Sequence, residues 1–372
     1  MTDKLKILHL TESSGWSGGA AQALELASRL RLGGHVNIFS CPLCGDLGRR
    51  AAAEGFEVRD FRPRRDYDLP AAFLLARVFN ECRPDVVQAH HPKAHAMGLI
   101  AKFLARHKPV FIVTRRVSHP LISTSFARLK YKNGLIDGYI AVAEAVRALL
   151  VAYGLSGDKV RVIYSGTDTS RFRPSLPDSA ILDELNLSPG RPVIMLAGNF
   201  SFDKGQHVLL RAAKLLYDRG RDFIVVFAGR GTDSGELRDL FLREGLPEER
   251  GRFLGLRHDV ERLLSVASLS VNAAVKGEAL SGSVREALAM GVPAVASDIS
   301  GNSELVEDGL TGLLFPPGDA AALAGRIEAL LDKPELRSVF SKNSVALVRE
   351  KFSAQVMAER TLAYYRELLA AR

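Results

Sequence analysis

The chain has 372 residues, 47% hydrophobic and 25% charged, with three cysteines and a formal net charge of +8. These proportions exclude a disordered, collagen-like or disulfide-scaffold chain. The length exceeds the ~250–300 residues at which a single core stops growing, so two domains are expected. Residues 1–180 hold 26 Lys/Arg against 16 Asp/Glu, and residues 181–372 hold 24 against 26. The positive excess therefore belongs to the first half and points it toward an acidic partner.

The longest apolar runs, such as Phe223–Gly229 and Ala287–Ala296, fall well short of the ~18 residues needed to span a bilayer. Met1-Thr2-Asp3-Lys4 leads into a strand-like segment without a signal-peptide pattern, so a cytoplasmic chain is expected. Cys41-Pro-Leu-Cys44 has a zinc-like spacing but lacks a second Cys/His pair, and no metal site is assigned.

Taken in chain order, Lys6–Leu10 reads as a strand, Gly15–Gly19 as a glycine loop, and Ala20–Leu32 as a helix. The helix shows apolar residues at 20, 23, 24, 27 and 30 and is stopped by Gly33-Gly34. His35–Ser40, Asp85–Ala89, Val110–Thr114, Tyr139–Val142 and Val160–Tyr164 continue the strands, with helical patterns between them. Gly166, Pro174 and Pro177 mark a linker. The alternation restarts at Pro192–Gly198 and runs through Gly205–Tyr217, Phe223–Ala228, Gly235–Arg243, Leu269–Ala273, Ser283–Met290, Pro293–Ala296 and Ala320–Leu331. The fold class expected is α/β, two doubly wound parallel-sheet domains facing across a cleft. Their boundaries are read as 1–170, a linker at 171–190, and 191–353. Ala354–Ala370 is an amphipathic helix, with a return to the first domain as one option.

Three loops carry candidate chemistry. Ser14-Gly-Trp-Ser-Gly-Gly19 joins strand to helix; it suits an anion at the helix N-terminus and equally a tight turn, and it is not the dinucleotide fingerprint. Ala197-Gly-Asn-Phe-Ser-Phe-Asp-Lys-Gly205 puts Lys204 at the start of a helix. A cation there opposes the helix dipole at a cost of ~0.3–1 kcal/mol unless an anion is shared with it. Lys276-Gly-Glu-Ala-Leu-Ser-Gly-Ser-Val-Arg-Glu286 places Glu278 in a loop and Glu286 in a helix. Ser283-x-x-Glu286 is also a capping-box pattern, and spacing leaves the two readings level.

The Glu278–Glu286 segment resembles the Glu-x7-Glu motif of retaining GT-B-fold glycosyltransferases, particularly family 4. The resemblance takes in the glycine loop, Lys204-Gly205, Phe253-Leu-Gly-Leu-Arg-His-Asp259, Ala296-Ser-Asp-Ile-Ser-Gly-Asn-Ser-Glu304 and Asp308-Gly-Leu-Thr-Gly-Leu-Leu-Phe-Pro-Pro-Gly-Asp319. It implies a nucleotide-diphosphate sugar, UDP-sugar first among them, as co-substrate, with no cofactor and no metal. Glu278 then resembles the donor-sugar carboxylate and Glu286 the ribose carboxylate. Lys204 and the N–H groups of Leu280, Ser281, Gly282 and Ser283 would neutralise the diphosphate, with Gly18 and Gly19 facing it from the first domain. The family's usual Gly-Arg is here Gly198-Asn199, leaving Arg230 or Arg257 as substitute cations, and Leu254–Arg257 would border the base. A family histidine after the first-domain strand is replaced by Arg115-Arg116, with His119 further on; Arg116 and His119 are the acceptor-side candidates, and His90 and His91 also end a strand.

The implied acceptor is a glycan or lipid-linked glycan of cell-surface polysaccharide or lipopolysaccharide type. The basic stretches Arg59–Arg65 and Arg128–Lys132, the latter interleaved with Leu129 and Tyr131, suggest peripheral association with an anionic membrane at its inner face. His95–Lys108 mixes apolar and basic residues similarly, although an ordinary helix packed on the sheet fits it better. Competing readings are a sugar-nucleotide epimerase or phosphorylase of the same fold, and a non-catalytic polyanion or anionic-lipid binder. Aromatic content of 7% and the lack of a reading motif argue against nucleic acid.

Overall fold

The computed structural model describes residues 4–372 except 66, 120, 122, 123, 189 and 300, and of 125 and 126 the backbone alone. The chain forms two compact units, one running to Gly166 and resuming over Ala354–Arg372, the other comprising Thr167–Ser353.

Among the described residues, the first unit holds seven strands: β1 (Lys6–Leu10), β2 (Val36–Cys41), β3 (Glu57–Asp60), β4 (Val86–Ala89), β5 (Val110–Arg115), β6 (Gly138–Ala141) and β7 (Val160–Val162). All pair in parallel, in the order β3-β2-β1-β4-β5-β6-β7. The second unit holds β8 (Val193–Ala197), β9 (Ile224–Ala228), β10 (Gly251–Phe253), β11 (Leu269–Asn272), β12 (Ala294–Ser297) and β13 (Gly312–Phe315). These are also parallel, in the order β10-β9-β8-β11-β12-β13. Central strands such as Val86–Ala89 and Ile224–Ala228 are buried along their whole length, as a sheet covered by helices on both faces requires. In each sheet the order reverses beside the first strand, between β1 and β4 and between β8 and β11. Ligands of such sheets bind at that point, outside the carboxyl ends of the strands.

The two doubly wound parallel-sheet units expected from the sequence are observed; several local expectations are corrected. The first helix is Gly18–Leu32, so Gly18 and Gly19 open the helix rather than close a loop. Ser17 caps it, its side chain accepting from Ala20 N at 3.2 Å. The stretch read as a linker contains the helix Ser179–Glu184, capped by Asp178, and Ile181, Leu185 and Leu187 are buried in the second unit. Short polar strands such as Glu57–Asp60 escaped the sequence reading because an edge strand needs no continuous apolar run.

The helix Ala354–Ala370 completes the first unit. Met357, Ala358, Tyr364 and Tyr365 join Leu5, Ile7, Val86, Val110 and Ile112 in one apolar cluster, and the Tyr365 hydroxyl donates to Gln88 Oε1 inside it. Gly138 makes room for this helix, since a Cβ there would lie 2.2 Å from Tyr364 Oη. Counted by these units, the first carries 27 Lys/Arg against 16 Asp/Glu and the second 23 against 26, so the charge asymmetry follows the fold.

Helix Pro92–Leu104 buries Met97, Leu99 and Lys102, the last paired with Asp137 at 2.5 Å, and is a core helix with Phe103 and Leu104 exposed at its end. Tyr131, read as facing an interface, is buried, whereas its neighbour Leu129 is exposed.

Candidate active site

The second unit gathers its chemistry on the two loops that flank the switch point. After β8, the chain makes a single 3-10 turn over Phe202–Lys204 and enters helix Gln206–Asp218 through Gly205 at φ 70°. A side chain at Gly205 would put its Cβ 1.7 Å from the Ala273 carbonyl oxygen. Glycine alone lets this loop press on the end of β11. Across that contact Val275 N donates to Asp203 O at 2.9 Å, Lys276 pairs with Asp203 at 3.4 Å, and Lys204 Nζ donates to Glu278 Oε1. Glu278 is buried, with Lys204 half-exposed above it. The cation that sequence alone set against a helix dipole thus has its anion, supplied 74 residues further along the chain.

Helix Gly282–Ala289 begins one residue earlier than expected, with Ser281 as its N-cap. A capping box on Ser281 would need its carboxylate at position 284, which is Val284, so the Ser283–Glu286 capping reading is excluded. Ser281 Oγ accepts from Asn272 Nδ2 at 2.9 Å and lies 3.2 Å from Ser283 Oγ. Behind it, Asn302 Nδ2 donates to Asn272 Oδ1 at 3.2 Å and to Ser297 O at 3.1 Å, and Ser297 Oγ donates to Ala274 O at 2.6 Å. This buried network fixes the loop that carries Glu278 and points the N–H groups of Gly282 and Ser283 out of the helix end. Gly301 closes the support, because a Cβ there would sit 1.6 Å from Ala279 O. The network was missed from sequence; its signal is the set of polar residues at the ends of otherwise apolar strands.

Glu286 sits inside the same helix, and burial pushes its carboxyl up to about 7, with Arg285 and Arg171 pulling it down. Arg285 is itself buried, and desolvation lowers its guanidinium to about 10. Among the other assigned positions, Asn199 accepts from Arg230 N through Oδ1 at 3.1 Å, which ties the loops after β8 and β9, and the Arg230 side chain is exposed there. Arg257 is engaged elsewhere. Its guanidinium is held by Glu184 and by Asp259 at 2.7 Å, and these hydrogen bonds raise its pKa. It therefore clamps helix Ser179–Glu184 to the loop after β10.

In the first unit the corresponding switch point has a cavity of about 280 Å³ lined by Gly19, His90, His91, Arg115 and Arg116 among others. Arg116 Nη1 donates to Ser165 Oγ at 3.0 Å. His91 Nδ1 lies 2.5 Å from Thr11 Oγ1. His90 Nε2 meets His9 Nδ1 at 3.2 Å, and His9 Nε2 meets Asn37 Oδ1 at 3.0 Å; burial lowers His9 to about 4. His119 is exposed and outside the lining; its backbone oxygen accepts from Arg115. Arg116 and Gly19 are brought together and His119 is not. His9 and His95 were not foreseen because they sit within apolar patterns, and Tyr131 was read as facing an interface rather than this cavity.

Two doubly wound parallel-sheet units, each with polar loops at its switch point, make up the GT-B fold. Comparison with known proteins carries the assignment further. Residues 178–346 match the family described as glycosyl transferases group 1, and residues 16–171 match that described as glycosyltransferase family 4. Alpha-D-kanosaminyltransferase of Streptomyces kanamyceticus is 30% identical over 308 residues, which is 80% of this chain and 73% of that one. A glycosyltransferase of Rickettsia africae shares the fold with a TM-score of 0.88 at 21% identity, covering 99% of both chains. Anabaena Alr3699/HepE, solved in complex with UDP, does so at 0.85 and 23%, covering 98% of this chain and 100% of that one. The chain belongs to the group 1 glycosyltransferases of GT-B fold, and it is a glycosyltransferase.

Proposed function

We propose that this enzyme is a retaining, metal-independent glycosyltransferase that moves a sugar from a nucleotide-diphosphate sugar, a UDP-sugar, to a glycan or lipid-linked glycan of cell-surface polysaccharide type. The observation that carries the reading is the Lys204–Glu278 pair at the second switch point, with Glu286 on the helix that follows. Glu278 accepts hydroxyl hydrogens of the donor sugar. Glu286, titrating near neutrality, serves the ribose hydroxyls. Lys204 and the N–H groups at the start of helix Gly282–Ala289 take up the charge of the departing diphosphate, the kind of preorganised stabilisation that commonly supplies the largest catalytic term. The bond from the anomeric carbon to the phosphate oxygen breaks as the acceptor oxygen bonds from the same face. The acceptor proton passes to the leaving phosphate. UDP as the nucleotude is supported by the complex formed by HepE.

Peripheral docking on an anionic membrane belongs to the same reading. Leu69, Phe73 and Leu74 are exposed beside Arg62, Arg64 and Arg65, a mixture suited to such an interface. Among the described residues no helix is long and apolar enough to cross a membrane. A nucleotide-sugar thermal-shift panel followed by Glu278→Ala tests the donor site; stabilisation that survives the substitution unchanged refutes it. Product stereochemistry tests retention, and an inverted linkage ends that assignment. Equal co-sedimentation with neutral and anionic vesicles removes the membrane.

A further inference from the structure

The helix that carries Glu286 also carries a cation whose charge no protein carboxylate answers. Arg285 is 4% exposed, and desolvation lowers its guanidinium only to about 10, so it keeps its proton at neutral pH. Its Nε comes no closer than 3.4 Å to the Ser281 carbonyl oxygen, and Nη1 is occluded with no hydrogen-bond partner among the described residues. No carboxylate among them forms an ion pair with it, although the charge of Glu286 raises its proton affinity. A buried ion left without a partner is a large cost to a folded chain. The other cations discussed for this unit's site are engaged: Lys204 with Glu278, Arg171 with Glu261, and Arg257 with Glu184 and Asp259.

Side chains on a helix lean back toward its N-terminus, so Arg285 runs from the second turn of helix Gly282–Ala289 onto the first. Its Nη2 makes no hydrogen bond among the described residues and is not occluded. That nitrogen lies 3.6 Å from where a Cβ would stand at Gly282. Gly282 and Ser283 open the helix with N–H groups that have no intrahelical acceptor, and no acidic residue occupies the first turn. The free guanidinium nitrogen and the unpaired N–H groups are therefore neighbours at one helix end. We propose that Arg285 is a second cation for the donor diphosphate, its Nη2 donating to a phosphate oxygen that the N–H groups of Gly282 and Ser283 also hold. A phosphate in that position answers the buried charge and the helix end together. Lys204 meets the donor from the opposite loop while tied to Glu278, so Arg285 supplies the positive charge that the protein itself leaves uncancelled. The inference rests on the donor reading, which assigns the diphosphate to this helix.

The test titrates UDP and inorganic pyrophosphate into the full chain by calorimetry and follows uridine by ligand-observed NMR, using wild type, Arg285→Met, Arg285→Lys and Lys204→Gln. Replacing an unpaired buried charge by an apolar side chain of similar length is neutral or stabilising. Without ligand, Arg285→Met is therefore expected to melt at or above the wild type, and saturating UDP is expected to reverse that order. Affinity for UDP and for pyrophosphate should fall at least tenfold in Arg285→Met and recover in part in Arg285→Lys, with uridine binding unchanged. An Arg285→Met chain that melts below the wild type without ligand, or that loses uridine as strongly as UDP, makes the guanidinium a structural prop and overturns the inference. Unchanged UDP affinity in that variant overturns it, and so does a wild type that binds neither UDP nor pyrophosphate. UDP binding that depends on Arg285 but is indifferent to Lys204→Gln refutes the donor role given to the Lys204–Glu278 pair and leaves Arg285 standing; dependence on Lys204 alone does the reverse.

Discussion

Replacing Glu286 by glutamine should stabilise the second unit and weaken the enzyme, and the pH dependence separates the two effects. Burial raises the Glu286 carboxyl from 4.5 to about 7, so the folded state binds a proton more tightly than the unfolded state. For an acid shifted upward, folding is penalised once pH exceeds the unfolded value. The penalty grows from about pH 4.5 and is complete above about pH 7. At ~1.4 kcal/mol per unit the full penalty is about 3 kcal/mol; residual solvent access to the side chain brings the measurable part to ~1–2 kcal/mol. Glutamine keeps the shape and removes the charge. Thermal melting of wild type and Glu286→Gln should therefore coincide near pH 4.5. At pH 8 the variant should melt higher, by ~2–4 °C per kcal/mol for a domain of this size. Donor affinity, measured on the same samples, should fall. A variant that melts no higher at pH 8 than the wild type would show that the carboxylate is not held in a desolvated environment, and the argument would fail at its first step.

Other outcomes follow from the same geometry. Gly205→Ala combines a positive φ with a 1.7 Å approach to Ala273 O; it should cost at least ~2 kcal/mol and abolish transfer, and near-wild-type melting would contradict the contact. Asn302→Ala removes the donor that serves both Asn272 Oδ1 and Ser297 O, with an expected loss of ~1–3 kcal/mol and reduced turnover; full activity would show that the network does not position the Glu278 loop. Truncation before Ala354 strips the cluster around Leu5, Ile7 and Val110 of its cover. Hydrogen exchange should then show protection lost across the first sheet and kept across the second, whereas uniform loss would contradict two separate cores.

Much of the fold was legible in the chain because central parallel strands must be apolar along their length, and helices covering them must repeat every three to four residues. Val86–Ala89 and Ile224–Ala228 were found for that reason. What escaped were elements whose stability comes from neighbours, such as the edge strand Glu57–Asp60 and the short helix Ser179–Glu184, clamped by Arg257 through Glu184. The capping reading at Ser283 failed over a single residue, since a helix start moved to Gly282 changes which side chain can reach which N–H.

The sequence by itself placed Lys204, Glu278, Glu286 and the glycines beside them at strand ends and helix starts, because position along the chain is a one-dimensional property; spacing left capping and ligand binding level, and the roles came from the resemblance. Which of them meet was decided only by tertiary structure. Lys204 reaches Glu278 because β8 and β11 are neighbours in space, and Arg257 leaves the list of candidate cations because Glu184 folds back upon it. Burial was decided at the same level. A carboxyl's proton affinity depends on the water it has lost, and no single stretch of chain states how much of that water the others will displace.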